Sequence, residues 1–368
     1  MSRRVLLVAG ARPNFMKIAP VHRALVAEGI EPEIVHTGQH YDPEMSRLFF
    51  EQLGIPEPDV NLEVGSGSHA QQTALIMQRF EPVLLERKPD LVVVVGDVNS
   101  TAACSLVAKK MPGIGVAHVE AGLRSGDRTM PEEINRIVTD SLSDLLFVSE
   151  RSGLENLARE GAPPDRVHFV GNVMIDTLRS HLDAARATGA VSRFGLEPQR
   201  YALLTLHRPA NVDRFETFSA IMGAVAETAR RLPVLFPVHP RTRPALDRWL
   251  EGRRGDAGDL RVVPPVGYLE FLHLMSEARM VLTDSGGIQE ETTALAIPCL
   301  TLRDNTERPA TVTEGTNRLV GRDPSRILAA VDELLAGKAK AGTVPEKWDG
   351  RAAERIARVI AAWDGALR

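Results

Sequence analysis

The stretch Thr283-Asp284-Ser285-Gly286-Gly287-Ile288-Gln289-Glu290-Glu291 combines residue types that seat a phosphate with types that hold a ribose. It follows the apolar run Met280-Val281-Leu282, so it reads as a buried strand, a tight glycine turn and a helix that starts at once. The first turn of a helix leaves backbone N–H groups unpaired and converging on one point, a natural seat for an anion. Gly286 and Gly287 carry no side chain and let a phosphate come close to that backbone. Glu290 and Glu291 lie one turn further along, where a carboxylate can accept from ribose hydroxyls.

Other polar residues fall at strand ends, the positions where open α/β sheets bind their ligands. Gly10-Ala11-Arg12-Pro13-Asn14 follows the first apolar run, with Lys17 one helical turn later. Cations at a helix N-terminus oppose its dipole, so Arg12 and Lys17 favour an anion between them. Asp97 ends the run 91–95 through Gly96, just before Asn99-Ser100-Thr101 opens a helix, so Asp97 or Asn99 also fits an ordinary cap. Glu120, beside His118, ends the run 115–119, and the two carboxylates on successive strands could share one cleft. For Glu132, Glu133 and Arg136 the spacing favours structure. Thr129-Met130-Pro131-Glu132 fits a capping box, and Glu132 with Arg136 fits a surface pair four residues apart. In the second half, His207-Arg208 follows 202–206 and His239 follows 234–238, both acid/base candidates. Arg303 and Arg308 flank Asp304 and Glu307; one arginine can pair with these acids while the other reaches a diphosphate.

Positioning these residues requires alternating strands and helices. Strand-like runs lie at 5–9, 33–36, 91–95, 115–119, 145–148 and 167–170, then at 202–206, 234–238, 261–263, 280–283 and 299–302. Amphipathic segments such as 70–85 separate them. The runs are apolar without clean alternation, as expected for sheets covered on both faces. The fold class expected is α/β, with two doubly wound Rossmann-like domains facing across a cleft. Residues 1–180 form the first domain and 181–350 the second, with the polar stretch 182–199 as connecting helix and linker. Segment 337–343 reads as a flexible loop. Residues 351–368 read as a helix returning to the first domain through Ile356, Val359, Ile360 and Trp363.

Bulk properties narrow the chemistry. At 368 residues the chain exceeds one ordinary core. Net charge is −4 with no long basic block, which argues against nucleic acid or an anionic membrane as partner. The N-terminus runs straight into a first strand rather than a secretion signal, and no run approaches membrane-spanning length. Cys104 and Cys299 sit in apolar segments and read as reduced thiols of a cytoplasmic protein. Gly65-Ser66-Gly67-Ser68-His69-Ala70 matches a dinucleotide fingerprint only superficially, since no acid follows at the next strand end. Gly38 between His36 and His40 argues against a metal-binding helix, and neither a Gly-x-Ser-x-Gly elbow nor a Walker loop is present. No cofactor and no metal are expected.

Together the segments Gly10-Ala11-Arg12-Pro13, His36-Thr37-Gly38-Gln39-His40, Gly96-Asp97 and His118-Val119-Glu120-Ala121-Gly122-Leu123-Arg124 form an ordered series. It continues through Pro131-Glu132-Glu133-Ile134-Asn135-Arg136, Asp284 to Glu291, Arg303-Asp304 and Thr306-Glu307-Arg308-Pro309. The series resembles the non-hydrolysing UDP-N-acetylglucosamine 2-epimerases, a family of glycosyltransferase-B type architecture, over nearly the whole chain.

The resemblance implies interconversion of UDP-N-acetylglucosamine and UDP-N-acetylmannosamine. The C2 hydrogen of the sugar is not acidic, because no carbonyl adjoins it in the ring. The family's route eliminates UDP from C1 together with the C2 proton, leaving an enzyme-bound 2-acetamidoglucal, and then adds UDP back with the proton delivered to the opposite face. Groups on both faces of C2 and a cationic clamp for the diphosphate are therefore needed. By resemblance Asp97, Glu120 and Glu132 handle protons, which overturns the capping-box reading of Glu132, and His207 is a further catalytic or phosphate-contacting group. Arg12, Lys17, Ser285, Gly286 and Gly287 become phosphate contacts. Glu291 binds the ribose, Phe271 lies near the uracil, Arg308 faces the sugar or diphosphate, and Arg136 and His239 complete the substrate set. A homodimer is also implied. Many members read His-Arg-Arg-Glu-Asn where this chain has His207-Arg208-Pro209-Ala210-Asn211, a departure bearing on activation by a second UDP-N-acetylglucosamine. The Gly-Ala-Arg-Pro-Asn form is also similar to relatives acting on UDP-2,3-diacetamido uronic acids. A UDP-sugar transferase of the same architecture is the remaining alternative.

Overall fold

The computed structural model describes residues 3–38, 50, 53–253 and 256–365, the side chains of residues 12 and 253 excepted. The chain forms two compact units, Met1–Arg179 with Glu346–Arg368, and Ser180–Pro345. In the first, strands β1 (Val5–Ala9), β2 (Glu33–His36), β3 (Val60–Asn61), β4 (Leu91–Val95), β5 (Gly115–Ala121), β6 (Leu145–Val148) and β7 (Val167–Phe169) stand in the order β3-β2-β1-β4-β5-β6-β7. All pairings are parallel. The strands are apolar throughout because alternate residues serve two cores. Val5, Leu7, Ala9, Leu91, Val93 and Val95 pack toward helices Arg12–Ala27 and Ala352–Ala362. Leu6, Val8, Val92 and Val94 pack toward helices His69–Arg87 and Asn99–Lys109 on the other face.

The second unit repeats the plan. Strands β8 (Ala202–Thr205), β9 (Val234–Pro237), β10 (Leu260–Val263), β11 (Met280–Thr283), β12 (Cys299–Thr301) and β13 (Asn317–Leu319) stand in the order β10-β9-β8-β11-β12-β13, again parallel. Both units are Rossmann-like, as the sequence predicts. Strands β3 and β13, of 2 and 3 residues, carry too short an apolar signal to be read from sequence. In the stretch 182–199, residues 182–187 end helix Val173–Ala187, which spans the unit boundary at Arg179, and the short helix Ala190–Arg193 follows. Segment 337–343 has no regular structure yet is tied down, with the Lys340 ammonium on the Val312 carbonyl and the Thr343 N–H donating to the Glu314 carbonyl.

Helix Ala352–Ala362 closes the first unit, burying Ile356, Ala357 and Ile360. Its unpaired first-turn donors are met by a distant side chain. Asp176 accepts from the N–H groups of Ala352 at 3.1 Å and Ala353 at 2.7 Å. Burial pushes this carboxyl up to about 6, against the pull of those two N–H bonds. An unfolded aspartate titrates near 4, so between about pH 4 and 6 the folded chain holds a proton that the unfolded chain releases. Stability therefore falls as pH rises through that window, by about 2–3 kcal/mol in total. Asp176→Asn is expected to flatten the slope, read as the thermal midpoint against pH; equal slopes in variant and wild type rule the linkage out.

Candidate active site

Each sheet reverses its strand order once, between β1 and β4 and between β8 and β11. Such switch points open a crevice at the carboxyl ends of the strands, where doubly wound folds bind ligands. In the first unit Asn14 ties the two strand ends together. Its Oδ1 accepts from the N–H groups of Gly10 (3.1 Å) and Ala11 (2.8 Å), and its Nδ2 donates to the Val95 carbonyl at 3.2 Å. Gly96, with φ +69°, makes the next turn; a Cβ there would lie 3.0 Å from the Lys17 ammonium. That ammonium sits 2.7 Å from Oε2 of Glu120, both groups buried. The spacing argument pairs Lys17 with Arg12 around an anion, whereas the fold gives Lys17 a carboxylate partner. Helix Arg12–Ala27 begins at Arg12, but the Arg12 side chain, like Gln39 and His40, lies outside the described residues.

Strand β5 does not stop before Glu120. It continues to Ala121 through an irregularity in its pairing with β6, and Glu120 takes φ +74°. A left-handed non-glycine residue costs of order 1–3 kcal/mol, and a bulge re-aims the side chain it carries. Behind it, His118 places Nδ1 2.6 Å from Asp140 and Nε2 2.8 Å from the Gly96 carbonyl. Asp140 also accepts from the Gly122 N–H at 3.0 Å and pairs with Arg124 at 2.7 Å. The ends of β4 and β5 are thus locked to each other.

The Asp97 carboxylate contacts the Arg136 guanidinium, and Asn135 Nδ2 donates to the Asp97 carbonyl at 2.9 Å. Arg136 also donates to Glu133 at 2.7 and 3.2 Å. Burial opposes ionisation of Glu133, but N–H bonds from Ser125 and Gly126 with Arg136 outweigh it and hold the carboxyl below its usual range. The local reading of this helix is therefore corrected. Its cap position is Met130, and the Thr129 hydroxyl turns away to Asp127 at 2.6 Å, so no capping box forms. The partner of Arg136 is Glu133, three residues back on the buried face. Glu132 is half-buried, with no ion-pair partner among the described residues.

In the second unit Asp284 organises the switch point. This fully buried carboxylate accepts from the N–H groups of His207 and Arg208 (2.9 Å to the latter) and from Asn211 Nδ2 (3.1 Å), and lies 2.9 Å from His207 Nδ1. Burial disfavours its charge, yet His207 and the two N–H bonds hold it below the ordinary aspartate range. With Nδ1–H committed to Asp284, His207 presents Nε2 for acid–base work or for a phosphate. The His239 ring lies 5.7 Å away and accepts at Nδ1 from the Arg241 N–H, so its proton sits on Nε2. A cavity of ≈190 Å³ lies here, with His207, His239 and Ser285 at its polar end and Pro265, Val266, Phe271 and Ile288 as apolar walls.

Helix Gly286–Ala294 starts at this cavity with Ser285 as its cap residue and no side-chain cap bond. A Cβ at Gly286 would lie 2.7 Å from Oε1 of Glu307, so any larger residue there would push that carboxylate aside. Further along, Glu290 pairs with Arg308 at 2.7 Å, and Glu291 accepts from the Tyr268 hydroxyl at 3.2 Å. Burial pushes Glu291 up to about 7. Arg303 is 2.8 Å from Glu307, so both arginines of the Arg303–Arg308 segment have carboxylate partners.

The first unit thus gathers Lys17, Asp97, Glu120 and Arg136 at its switch point, with Glu132 on the helix that carries Arg136. The second gathers His207, His239, Phe271, Ser285, Gly286, Gly287, Glu291 and Arg308 at and along one strand–turn–helix. Asp284, Glu133, Asn135 and Glu307 enter the sequence reading only as motif members or local pairing partners without a site role of their own, and Tyr268 does not enter it. The strand-end rule that picks out His207 applies equally to Asp284; the others are visible only through their partners. Among the described residues no cluster of three or more His, Cys, Asp or Glu could hold a metal, and no helix is long and apolar enough to cross a membrane.

Two Rossmann-like units, one with carboxylates and the other with a glycine turn at the switch point, define an enzyme architecture of the glycosyltransferase-B type. Residues 23–361 match the model of the UDP-N-acetylglucosamine 2-epimerase family. A UDP-N-acetylglucosamine 2-epimerase of Methanocaldococcus jannaschii is 42% identical, covering 97% of this chain and 98% of its own length. A UDP-2,3-diacetamido-2,3-dideoxy-D-glucuronate 2-epimerase of Pseudomonas aeruginosa is also 42% identical, over 97% of this chain and 99% of its own length. The crystal structure of the M. jannaschii enzyme in complex with UDP-GlcNAc and UDP superposes with a TM-score of 0.90 over 98% of this chain and 100% of that one. The chain belongs to the UDP-N-acetylglucosamine 2-epimerase family.

Proposed function

We propose that this protein interconverts UDP-N-acetylglucosamine and UDP-N-acetylmannosamine by eliminating UDP to a 2-acetamidoglucal and adding it back. The observation that carries the reading is the buried Lys17–Glu120 pair beside the Arg136-held Asp97, two carboxylates on adjacent strand ends in a chain of this family. Asp97, Glu120 and Glu132 move the C2 proton on and off opposite faces. His207, oriented by Asp284, acts on the diphosphate end, where Arg12 and the Ser285-Gly286-Gly287 turn bind phosphate and Arg308 and Arg136 contribute charge. Lys17 pairs with Glu120 at 2.7 Å and shares in anion binding. Phe271 and the neighbouring apolar walls suit a uracil, His239 Nε2–H is a donor beside it, and Glu291 accepts from the ribose. Incubation in heavy water is expected to place deuterium at C2 of both epimers. No exchange on any UDP-2-acetamido sugar would sink the proposal.

The P. aeruginosa relative, at the same identity, favours a second reading in which the sugar is a 2,3-diacetamido uronic acid. A panel of UDP-sugars differing at C3 and C6 separates the two by kcat/KM. A cytoplasmic homodimer is part of the proposal; the two free, buried cysteines fit a reducing compartment, and sedimentation at micromolar protein distinguishes dimer from monomer.

Ribose recognition by Glu291 has a proton signature. Held up to about 7, the carboxyl is partly protonated near neutrality in the ligand-free protein. Hydroxyls donating to the charged form lower its pKa, so UDP binding at pH 7 releases a fraction of a proton. Binding heats measured in buffers of different ionisation enthalpy should differ for the wild type and agree for Glu291→Gln. Identical heats for the wild type exclude this role.

A further inference from the structure

Beside the Gly286–Gly287 turn lies a buried ionic cluster larger than the binding of a diphosphate requires. Glu307 is at its centre. Arg303 approaches it with Nη2 2.8 Å from Oε2 and Nη1 3.4 Å from Oε1, and Arg208 Nη2 lies 3.6 Å from Oε1. Arg308, the next residue, reaches Glu290 at 2.7 Å. Glu307, Arg303, Arg308 and Glu290 are all buried, while Asp304 turns outward to Arg322. Burial works against charge on Glu307, but Arg308 and Arg303 overcome it and hold the carboxyl down at about 2. The same Oε1 that faces Arg208 fills the space a Gly286 Cβ would need. A permanent anion therefore stands at the start of the helix whose unpaired N–H groups form the phosphate seat.

We propose that Glu307 is the resident counter-charge of this seat, tuning how tightly the Arg208–Arg303–Arg308 cluster holds a diphosphate. The inference rests on the UDP reading above and deepens it. Glu307 and Glu290 offset part of the positive charge of the three guanidiniums, so the clamp attracts an anion without saturating it. Elimination and re-addition demand that balance. The C1–O bond breaks with its electron pair going to the diphosphate oxygen, and the same oxygen must later return that pair to C1. A clamp that stabilises the departed UDP too strongly lowers its nucleophilicity and traps the glucal. Glu307 acts through the arginines and is a positioning residue; nothing in this role has it touch the sugar.

The test compares binding of UDP with binding of uridine, which lacks the diphosphate. Glu307→Gln keeps the shape and raises the net charge of the cluster by one. UDP affinity relative to uridine should rise roughly tenfold, as one partly screened unit charge a few ångströms away produces, while uridine affinity stays at the wild-type level. Turnover should fall, with a larger fraction of cycles ending in free glucal and UDP. Glu307→Asp retains the charge and should bring the ratio back toward wild type. If Glu307→Gln does not fold, Arg303→Gln removes a positive charge and should lower the ratio. A folded Glu307→Gln with an unchanged or lower ratio overturns the counter-charge role, as does an unchanged ratio in Arg303→Gln. A wild-type protein that binds neither ligand overturns the UDP reading and this inference together; one that prefers UDP while its variants do not differ from it overturns this inference alone.

Discussion

Replacing Glu120 by glutamine is expected to lower kcat by about 10²–10⁴-fold, the range for removing a positioned proton-transfer group. The carboxylate is 2.7 Å from Lys17 and sits on a backbone held at φ +74°. Proteins retain such strain where the surrounding structure over-determines it, commonly at functional sites. The glutamine variant keeps the size and the bulge, so a loss confined to turnover assigns the effect to charge. Lys17→Met provides the second arm. It removes the ammonium 2.7 Å from the Glu120 carboxylate and should also lower kcat. The double variant should be no slower than Glu120→Gln alone, because residues acting as a unit are not additive. Initial rates of the two single variants and the double variant test both points. A Glu120→Gln enzyme with wild-type kcat removes this carboxylate from the chemistry.

Asp284→Asn is the second large effect. The carboxylate is fully buried and accepts from two backbone N–H groups, from Asn211 and from His207. An asparagine turns one acceptor into a donor in a site built only of donors, leaving a buried clash and loosening His207. Catalytic loss of about 10²–10³-fold is expected, comparable to removing a preorganised polar group from an active site, with destabilisation of about 1–3 kcal/mol for the orphaned donors. His207→Asn should cost similar activity but little stability, since the half-exposed imidazole is not what the turn is built on. Thermal melts beside kcat separate the two roles. A variant Asp284→Asn as stable and active as the wild type would show that the histidine needs no such anchor.

Much of the candidate site is legible in single residues at strand ends. Asp97, Glu120, His207 and His239 each terminate or follow an apolar run, and the sheets place them at or beside their switch points. Glu132 shows the opposite case. Its spacing from Thr129 and Arg136 matches a capping box and a surface pair, yet Thr129 bonds to Asp127 and Arg136 turns inward to Glu133 and Asp97. A pattern of four residues describes what a helix permits locally, and here contacts with a loop 125–127 and with Asp97 in the turn after β4 outweigh it. Lys17 is similar: its sequence position fits a helix start that attracts anions, and the partner it finds is 103 positions away.

The amino-acid sequence by itself determines the parallel strands and their covering helices, because apolar runs of strand length and amphipathic periodicity are local properties of neighbouring residues. It also determines which polar groups end at the ligand-binding edge of each sheet. The tertiary structure alone decides how those groups are paired: Glu120 with Lys17, Asp97 with Arg136, His207 with Asp284, and Glu307 among its arginines. The reason is that a buried charge takes the partner that strand order brings within hydrogen-bonding distance, and strand order is set by packing between segments far apart in the chain.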